Sequence, residues 1–322
     1  MPKLASTPVE GSVHRVRSGA SSVLTGVRRG HPALFWFAVA AGGLVVAAAV
    51  GLVVDDRVLL GAPLWLKPLK FALSFGIYAL ALAWMLSLVD GGRRTGAVLG
   101  WIVAVGSAAE VGIIFAQAAR GVRSHFNEDT DIDALLFSIM GMTVAVIWLA
   151  TAWLAVGVLR RPGVDPVVTS SIRLGLSVAL LGMLVGVVMS VNGGHAVGVA
   201  DGGPGLAVFG WSTAGGDLRV AHFVGMHALQ VLPLLAAVLL AVPRRTLPTG
   251  ARLPLVRLAG AAYLVLLGLL TWQALRGQPL TAPDGATLAV LGALLVAVGA
   301  AAVVIVRRGR APVSRTVRAP AR

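Results

Sequence analysis

Three of the six histidines in this 322-residue chain lie within or soon after one glycine-rich stretch. His195 lies among the glycines, and His222 and His227 lie in the apolar segment that follows. Neutral imidazole is a common metal ligand and exchanges protons near neutral pH, so these three residues are the predicted ligands of any metal or haem. The five-residue spacing places His222 and His227 about 140° apart around a helix. We therefore expect them to face different partners, with Gln230 between the two faces.

Glu110 is the acidic residue that falls well inside an apolar segment. An ionisable group at that depth costs a few kcal/mol or more, so it is expected to face other helices. Ser107, Glu110 and Gln117 share one face by helical spacing. Glu110, His222 and His227 are the predicted catalytic or proton-transferring residues. The alternative for Glu110 is a protonated side chain that is hydrogen-bonded to a neighbouring helix.

A second polar stripe begins in the segment that follows Trp65. Lys67, Ser74 and Tyr78 lie within about 20° of one another on a helix, and Lys70 lies about 60° away. The two lysines either face an anion or extend toward lipid head groups beside Trp65. The residues predicted to hold an anionic ligand, either small or lipid-like, are Lys67, Lys70, Tyr78, Gln117, Arg120, Arg123, Arg219 and Gln230.

The composition indicates which class of protein carries these residues. The chain is 57% hydrophobic and 12% charged, with a mean hydropathy of +0.87. Soluble domains are about 45–50% apolar and about 25% charged, so this chain belongs to the membrane class. Cysteine is absent, which excludes disulfides, thiolate metal sites and cysteine nucleophiles. The net charge of +14 is explained by Arg residues that flank membrane spans, and no motif indicates a nucleic-acid partner.

The fold class predicted is an all-α, polytopic transmembrane helix bundle of about eight spans. Each apolar segment can cross about 30 Å of hydrocarbon as a helix, and no period-2 pattern suggests a barrel. The predicted spans are residues 33–54, 70–89, 96–119, 134–159, 174–191, 220–242, 255–275 and 286–306. They form a bundle over residues 31–306, between a disordered basic tail (1–30) and a second basic tail (307–322).

The distribution of basic residues predicts the orientation in a bacterial plasma membrane. Of the 27 Lys and Arg residues, 20 fall on the side of the N-terminus and seven on the other side. This excess predicts that both termini are cytoplasmic. The seven basic residues on the outer side are Arg57, Lys67, Lys70, Arg120, Arg123, Arg219 and Arg276.

Four of the six histidines and nine of the 13 acidic residues fall at the outer side, so any site is expected to open outward. The outer loop 192–219 is glycine-rich, and such backbone is tolerated at membrane depth only where it is buried or lines a cavity. We expect this loop to fold back over the outer mouth, with its apolar segment 206–211 as a lid, and to bring His195 toward the helix of His222 and Gln230. A pocket lined by the second, third and sixth spans is expected beneath it. A plain flexible loop is the alternative.

Three segments resemble a group of bacterial, largely actinobacterial, multi-span membrane proteins without an assigned activity. These segments are residues 65–71 (WLKPLKF), 117–127 (QAARGVRSHFN) and 210–230 (GWSTAGGDLRVAHFVGMHALQ). The resemblance covers roughly residues 33–245. It implies membership of that group and transfers no activity, cofactor or catalytic residue.

The sequence leaves three functions open. The first is a binding or catalytic site that opens outward and holds a metal, a haem or an anionic, lipid-like ligand. The second is a proton-coupled transporter with Glu110 as the proton carrier, although internal repeats and a polar cytoplasmic route are lacking. The third is a non-catalytic scaffold or sensor.

Overall fold

A computed structural model describes residues 25–28, 30–88, 93–160 and 165–310. Within these residues, eight helices are long and apolar enough to cross a membrane, which confirms the predicted all-α, polytopic fold. In chain order they are α1 (Pro32–Val54), α2 (Leu66–Leu88), α3 (Arg93–Arg120), α4 (Asp131–Arg160), α5 (Pro166–Val191), α6 (Leu218–Ala241), α7 (Thr249–Leu275) and α8 (Gly285–Arg310). Most of the predicted N-terminal tail and residues 311–322 lie outside the described part, and α8 continues through residue 310.

The second and fifth spans begin earlier than predicted, because residues that lower the hydropathy lie in their first turns. The first turn of α2 contains Lys67, Pro68 and Lys70, and proline is tolerated there since its missing N–H has no helical partner. The cap of α5 is Asp165, whose carboxylate accepts from the N–H groups of Val167 and Val168.

The helices pack in two groups, one formed by α1–α4 and the other by α5–α8. Contacts of α4 with α5, and of α2 with α6, connect the two groups. The most extensive interface joins α5 to α6, whose backbones meet at Gly182 and Gly225. A Cβ atom on Gly182 would lie 2.5 Å from the carbonyl carbon of Gly225. The absence of a side chain at Gly182 therefore permits the close approach of α5 and α6.

Gly100 on α3 accommodates a side chain instead of a second backbone. A Cβ atom on Gly100 would collide with the imidazole of His31. His31 caps α1 by accepting from the N–H of Leu34, and its Nε2 lies 2.9 Å from the carbonyl oxygen of Ala97. The histidine therefore fastens the start of α1 to α3.

Loops from both groups of helices meet at one end of the bundle, which we call the capped end. A short hairpin after α1 contains β1 (Val58–Leu59) and β2 (Ala62–Pro63). The long α5–α6 loop contains β3 (Ala196–Val197) and β4 (Gly216–Asp217), which pair antiparallel and contact α7. The hairpin is joined to the end of α3 by a hydrogen bond from Arg57 to the carbonyl oxygen of Ala119. Glu110, Tyr78, His227 and Gln230 lie two or more helical turns from this end, and the other candidate site residues lie at or near it.

Candidate functional site

Lys67 is the central cation of the capped end. It lies in the first turn of α2, is half-buried, and donates to Nδ1 of His125 at 3.3 Å. The Lys67 ammonium also lies 5.8 Å from the centroid of the Phe71 ring. Among the described residues, no carboxylate lies within ion-pair distance of Lys67. Its charge is therefore not compensated by a direct partner.

The charges that act most strongly on the Lys67 ammonium are mainly positive. Arg219, Lys70 and Arg123 repel it, and Asp201 attracts it. The guanidinium groups of Arg123 and Arg219 have carboxylate partners of their own in Asp129 and Asp217. Lys70, like Lys67, has no carboxylate partner in the described part of the chain. The capped end thus has two lysine charges that no acidic side chain neutralises directly.

Residues 206–211 form a lid that folds back onto the bundle, as predicted. Lys70 donates to the carbonyl oxygens of Val208 and Phe209, at 3.1 Å and 2.9 Å. Arg219 donates to the carbonyl oxygen of Gly210 at 2.5 Å. Val208 has φ +70°, a conformation that is strained for a β-branched residue. The hydrogen bonds from Lys70 and Arg219 therefore hold the lid in a conformation that its sequence disfavours.

Aromatic rings attach the lid to α6. Phe209 and Trp211 stack with ring centroids 4.5 Å apart, and both meet the edge of Phe223. Phe223 in turn packs against the imidazole of His227 at 4.3 Å. This contact places the His227 ring beside the lid rather than in a polar cavity.

The predicted metal ligands are not brought together. His222 donates from Nδ1 to the carbonyl oxygen of Gly182, 2.8 Å away on α5. His227 lies 3.3 Å from Gln230, and His195 lies 3.3 Å from Asp201. Among the described residues, no group of three or more His, Asp or Glu side chains is arranged to hold a metal ion. The three histidines are therefore not arranged around one metal ion in the described part of the chain.

Glu110 lies inside the bundle, as the helical spacing predicts. The exposed fraction is 1% for Glu110 and 0% for Ser107 and Gln117, so this face of α3 turns away from lipid. The alternative of a hydrogen bond to a neighbouring helix is not found. Glu110 Oε1 and Ser107 Oγ are both buried without a hydrogen-bond partner in the described part of the chain. The charge that acts on Glu110 is that of Lys67.

Several of the predicted ligand-binding residues are bonded to other protein groups. Gln117 and Arg120 both donate to the buried carboxylate of Asp133, each at 2.8 Å, and so join the two helices that flank the loop 121–130. The hydroxyl of Tyr78 lies 2.5 Å from that of Thr151 and bridges α2 to α4. Gln117, Arg120 and Tyr78 thus each have a protein partner, and their role in ligand binding stays a prediction. The cations whose charge acts on Lys67 are Lys70, Arg123 and Arg219.

Sequence analysis did not select His125, Asp217 or Asp201 for the site, although each contacts it. His125 and Asp201 lie in loops, where no helical periodicity indicates which way a side chain points. Asp217 precedes the apolar run of α6, so its position as a helix cap was the signal available.

The predicted role of Trp65 at the lipid interface also changes. Its indole N–H donates to Asp55 at 2.8 Å and fastens the hairpin, and Arg57 and Trp65 hold the pKa of Asp55 well below its usual range.

Two cavities in the described part of the chain lie elsewhere than the predicted pocket between the second, third and sixth spans. One is an apolar groove of about 470 Å³ between α3 and α4, lined by residues such as Trp101, Gly106 and Met142. The other has a volume of about 10 Å³ and lies between α6 and α7. At the predicted place, the imidazole of His125 packs against the rings of Phe71 and Phe137. The capped end is thus filled by side chains in this closed arrangement.

Stability of the capped end is expected to fall as the pH drops below about 6.5. Burial, then Lys67 and His222, lower the pKa of His125 well below its ordinary value. Burial and the charge of Arg219 also lower the pKa of His195, against the opposing effect of Asp217 and Asp201. In the unfolded chain both histidines take up protons near pH 6.5, so below that pH the unfolded state binds more protons. Each histidine then costs up to about 1.4 kcal/mol per pH unit until its folded pKa is reached.

This expectation is checked by the thermal unfolding midpoint of the purified protein between pH 5 and pH 8. His125→Gln retains an acceptor for Lys67 and should reduce the dependence of the midpoint on pH. An unchanged dependence in this variant would show that His125 is not a source of the effect.

The chain matches no protein-family model, no curated protein and no solved structure. The resemblance to the actinobacterial membrane proteins stays a prediction.

Proposed function

We propose that this integral membrane protein lies in the bacterial plasma membrane and binds an anionic ligand at its capped end. In this proposal the capped end faces outward and both termini are cytoplasmic, as the positive-inside distribution predicts. The observation that carries the proposal is the half-buried Lys67 ammonium, which has no carboxylate partner and is surrounded by Lys70, Arg123 and Arg219.

A bound anion would supply the negative charge beside Lys67 that no carboxylate of the described residues provides. A charge that is removed from water is costly unless it is paired and hydrogen-bonded. The Lys67 ammonium has three N–H donors, and one of them is directed to His125. The lowered pKa of His125 supports this arrangement, because only the neutral imidazole can accept that bond. Two donors of Lys67 remain for a ligand.

The presence of lysine rather than arginine at positions 67 and 70 also favours a charged ligand. The chain has 27 Lys and Arg residues, and only Lys3, Lys67 and Lys70 are lysines. Lysine presents a compact charge with rotatable donors, whereas arginine presents a planar fork suited to a fixed carboxylate. Arg123 and Arg219 have such carboxylates, and the two lysines do not. Their donors can therefore be transferred to an incoming anion.

The lid offers a route for entry. Lys70 holds it through the carbonyl oxygens of Val208 and Phe209, and an anion would compete with these neutral acceptors. Once Lys70 turns to the ligand, the lid loses two hydrogen bonds, and the strained conformation of Val208 favours opening. Binding and lid movement would then occur together.

The anion can be a phosphodiester in a lipid head group or a phosphodiester free in solution. The test therefore supplies it in both forms. Purified protein is placed in nanodiscs of neutral lipid, and dimethyl phosphate is added as the small anion. In a second arm, the nanodisc contains phosphatidylglycerol. A ligand at one hundred times its Kd should stabilise the folded protein by about 2.7 kcal/mol, which raises the thermal unfolding midpoint. The arm that produces the rise identifies the source.

Lys67→Gln is expected to weaken this binding by about ten- to a hundred-fold, since a hydrogen bond to a charged group contributes about 1.5–3 kcal/mol. The matched control is Arg276→Gln, which removes one positive charge from the same end. Arg276 is paired with Asp284 at 2.7 Å and lies outside the cluster around Lys67. The control should retain the affinity of the natural protein.

Two results would contradict the proposal. One is the absence of stabilisation in both arms, which would favour the scaffold or sensor. The other is an equal loss of affinity in Lys67→Gln and Arg276→Gln, which would indicate nonspecific attraction to a basic surface.

A further inference from the structure

We propose that the apolar groove between α3 and α4 holds one acyl chain of an anionic phospholipid, whose head group lies between Arg94 and Arg160. The groove has a volume of about 470 Å³. Three of its lining residues, Trp101, Val105 and Met142, are 59%, 61% and 63% exposed, so the groove opens on the surface that faces lipid. This site lies away from the capped end and does not depend on the proposed function.

The groove lies where α3 and α4 touch within their spans. A Cβ atom on Gly106 would lie 2.9 Å from Cγ1 of Ile147 and 3.2 Å from Cγ2 of Thr143. Gly106 and Thr143 line the groove together with longer side chains such as Trp101 and Met142. At this depth the surrounding medium is hydrocarbon rather than water, so an acyl chain is the occupant whose chemistry fits.

Each of the two helices has a stripe of exposed side chains that runs from the groove to an arginine. Both stripes are about 60° wide around their helix. On α3 the stripe consists of Arg94, Val98, Trp101 and Val105. On α4 it consists of Met142, Val146, Leu149, Trp153 and Arg160. The groove is therefore continuous with two lines of lipid-facing side chains, and each line ends in a positive charge.

The two arginines lie at the same end of the bundle and at a similar depth. Arg94 is in the first turn of α3, and Arg160 is the last residue of α4, which runs in the opposite direction. At 1.5 Å per residue, Arg94 lies about 18 Å along the axis from Gly106, and Arg160 lies about 20 Å from Ile147. One leaflet supplies about half of a hydrocarbon core about 30 Å thick. An acyl chain whose head group lies at the arginines therefore reaches the groove.

The side chains near the arginines favour an anionic head group. Trp101 and Trp153 each lie about 10 Å along the axis from the arginine of their own stripe. The indole ring suits the boundary between head groups and hydrocarbon, and its N–H can donate to a lipid oxygen. Neither Arg94 nor Arg160 forms an ion pair with an acidic residue in the described part of the chain. A phosphodiester between them would be paired with two guanidinium groups.

The experiment uses the full chain in nanodiscs of phosphatidylcholine that contain a rising fraction of phosphatidylglycerol with dibrominated acyl chains. Bromine quenches indole fluorescence at short range. The part of the quenching that is lost in the double variant Trp101→Phe, Trp153→Phe reports a chain at the groove. We expect this part to saturate at a low fraction of phosphatidylglycerol. Dibrominated phosphatidylcholine should instead quench in proportion to its fraction, as lipid that merely surrounds the bundle does.

The double variant Arg94→Gln, Arg160→Gln is expected to raise the half-saturating fraction of phosphatidylglycerol about 25-fold or to abolish saturation, because each basic residue near the surface strengthens anionic lipid binding about fivefold. The matched control is Arg307→Gln, Arg308→Gln. It removes two exposed charges from the last turn of α8, which does not line the groove. This control should saturate as the natural protein does.

Val105→Phe tests the groove itself, because it adds bulk at an exposed lining position without a change of charge. Quenching at the groove should then require more phosphatidylglycerol, although both arginines remain. The matched control is Val296→Phe, at a 73% exposed position in the middle of α8. It should leave the saturation unchanged.

Quenching of the natural protein that rises in proportion to the fraction of phosphatidylglycerol would overturn the proposal, and this measurement requires no arginine variant to fold. Equal effects of the two arginine double variants would also overturn it, since they would indicate general attraction of basic helix ends to anionic lipid. Binding of dimethyl phosphate at the capped end should be the same in Arg94→Gln, Arg160→Gln as in the natural protein. Failure of this lipid site and failure of the proposed function are therefore distinguishable.

Discussion

Gly182→Ala is expected to destabilise the folded bundle by about 3 kcal/mol, although it adds one methyl group. The new Cβ atom would lie 2.5 Å from the carbonyl carbon of Gly225 and 2.7 Å from the backbone nitrogen of Met226. Both neighbours are backbone atoms of α6, so no side chain can rotate to make room. Relief requires α5 and α6 to separate along their extensive interface, and overpacking of this kind typically costs about 1–3 kcal/mol or more.

The thermal unfolding midpoint and the monodisperse fraction after detergent extraction measure this effect. The matched control is Gly268→Ala on α7, where a Cβ atom would meet nothing within 4 Å. That variant should be neutral or up to about 1 kcal/mol more stable, because alanine favours a helix more than glycine does. Similar midpoints for the two variants would show that α5 and α6 do not touch at Gly182.

Separation of α5 and α6 would also displace residues of the candidate site at the capped end. His222 lies directly beside this contact, since its Nδ1 donates to the carbonyl oxygen of Gly182 and its ring faces Gly186. A shift of α6 would move Arg219, which lies one turn away and holds the lid through Gly210. Anion binding should therefore weaken in any Gly182→Ala protein that still folds.

The eight spans were predictable because a hydrocarbon environment requires long apolar helices whatever their neighbours are. Helical spacing also predicted which side of α3 turns inward, and the outcome for Ser107, Glu110 and Gln117 follows from that geometry alone. The divergence of His222 and His227 was predictable for the same reason, since a five-residue spacing cannot place two side chains on one face.

The partners of the polar side chains were not predictable in this way. Gln117 and Arg120 bond to Asp133 across a loop, and the period of a helix carries no information about that loop. His125 occupies the space in which a pocket was expected, because the loop 121–130 turns its imidazole toward Lys67. Phe126 has φ +53° beside it, a local backbone choice that composition does not indicate. Pairing between loops depends on how the two groups of helices are placed, which is a property of the whole fold.

Asp217→Ala is expected to cost about 3–5 kcal/mol and to release the α5–α6 loop from the bundle. Asp217 is 2% exposed and caps α6 by accepting from the N–H of Arg219 at 3.0 Å. It also accepts from the N–H of Ser212 at 2.8 Å and from the Arg219 guanidinium at 2.6 Å. Removal of the carboxylate leaves a half-buried guanidinium and two backbone N–H groups without their acceptor. Loss of one partner of a buried pair typically costs about 3–5 kcal/mol, and loss of a helix cap contributes about 1 kcal/mol of that.

The consequence for the lid distinguishes this residue from an ordinary cap. Arg219 donates to Gly210 while Asp217 fixes its guanidinium, so the variant should lose the lid contact as well as the cap. Limited proteolysis at residues 198–212 should accelerate, and the thermal midpoint should fall. Asp284→Ala is the matched control, since Asp284 accepts from the N–H of Thr287 near the start of α8 and pairs with Arg276. Its side chain is 36% exposed, and an exposed pair typically contributes about 1 kcal/mol or less. If the two alanine variants lose equal stability and the loop stays protected in both, Asp217 does not hold the lid, and opening of the site must depend on Lys70 alone.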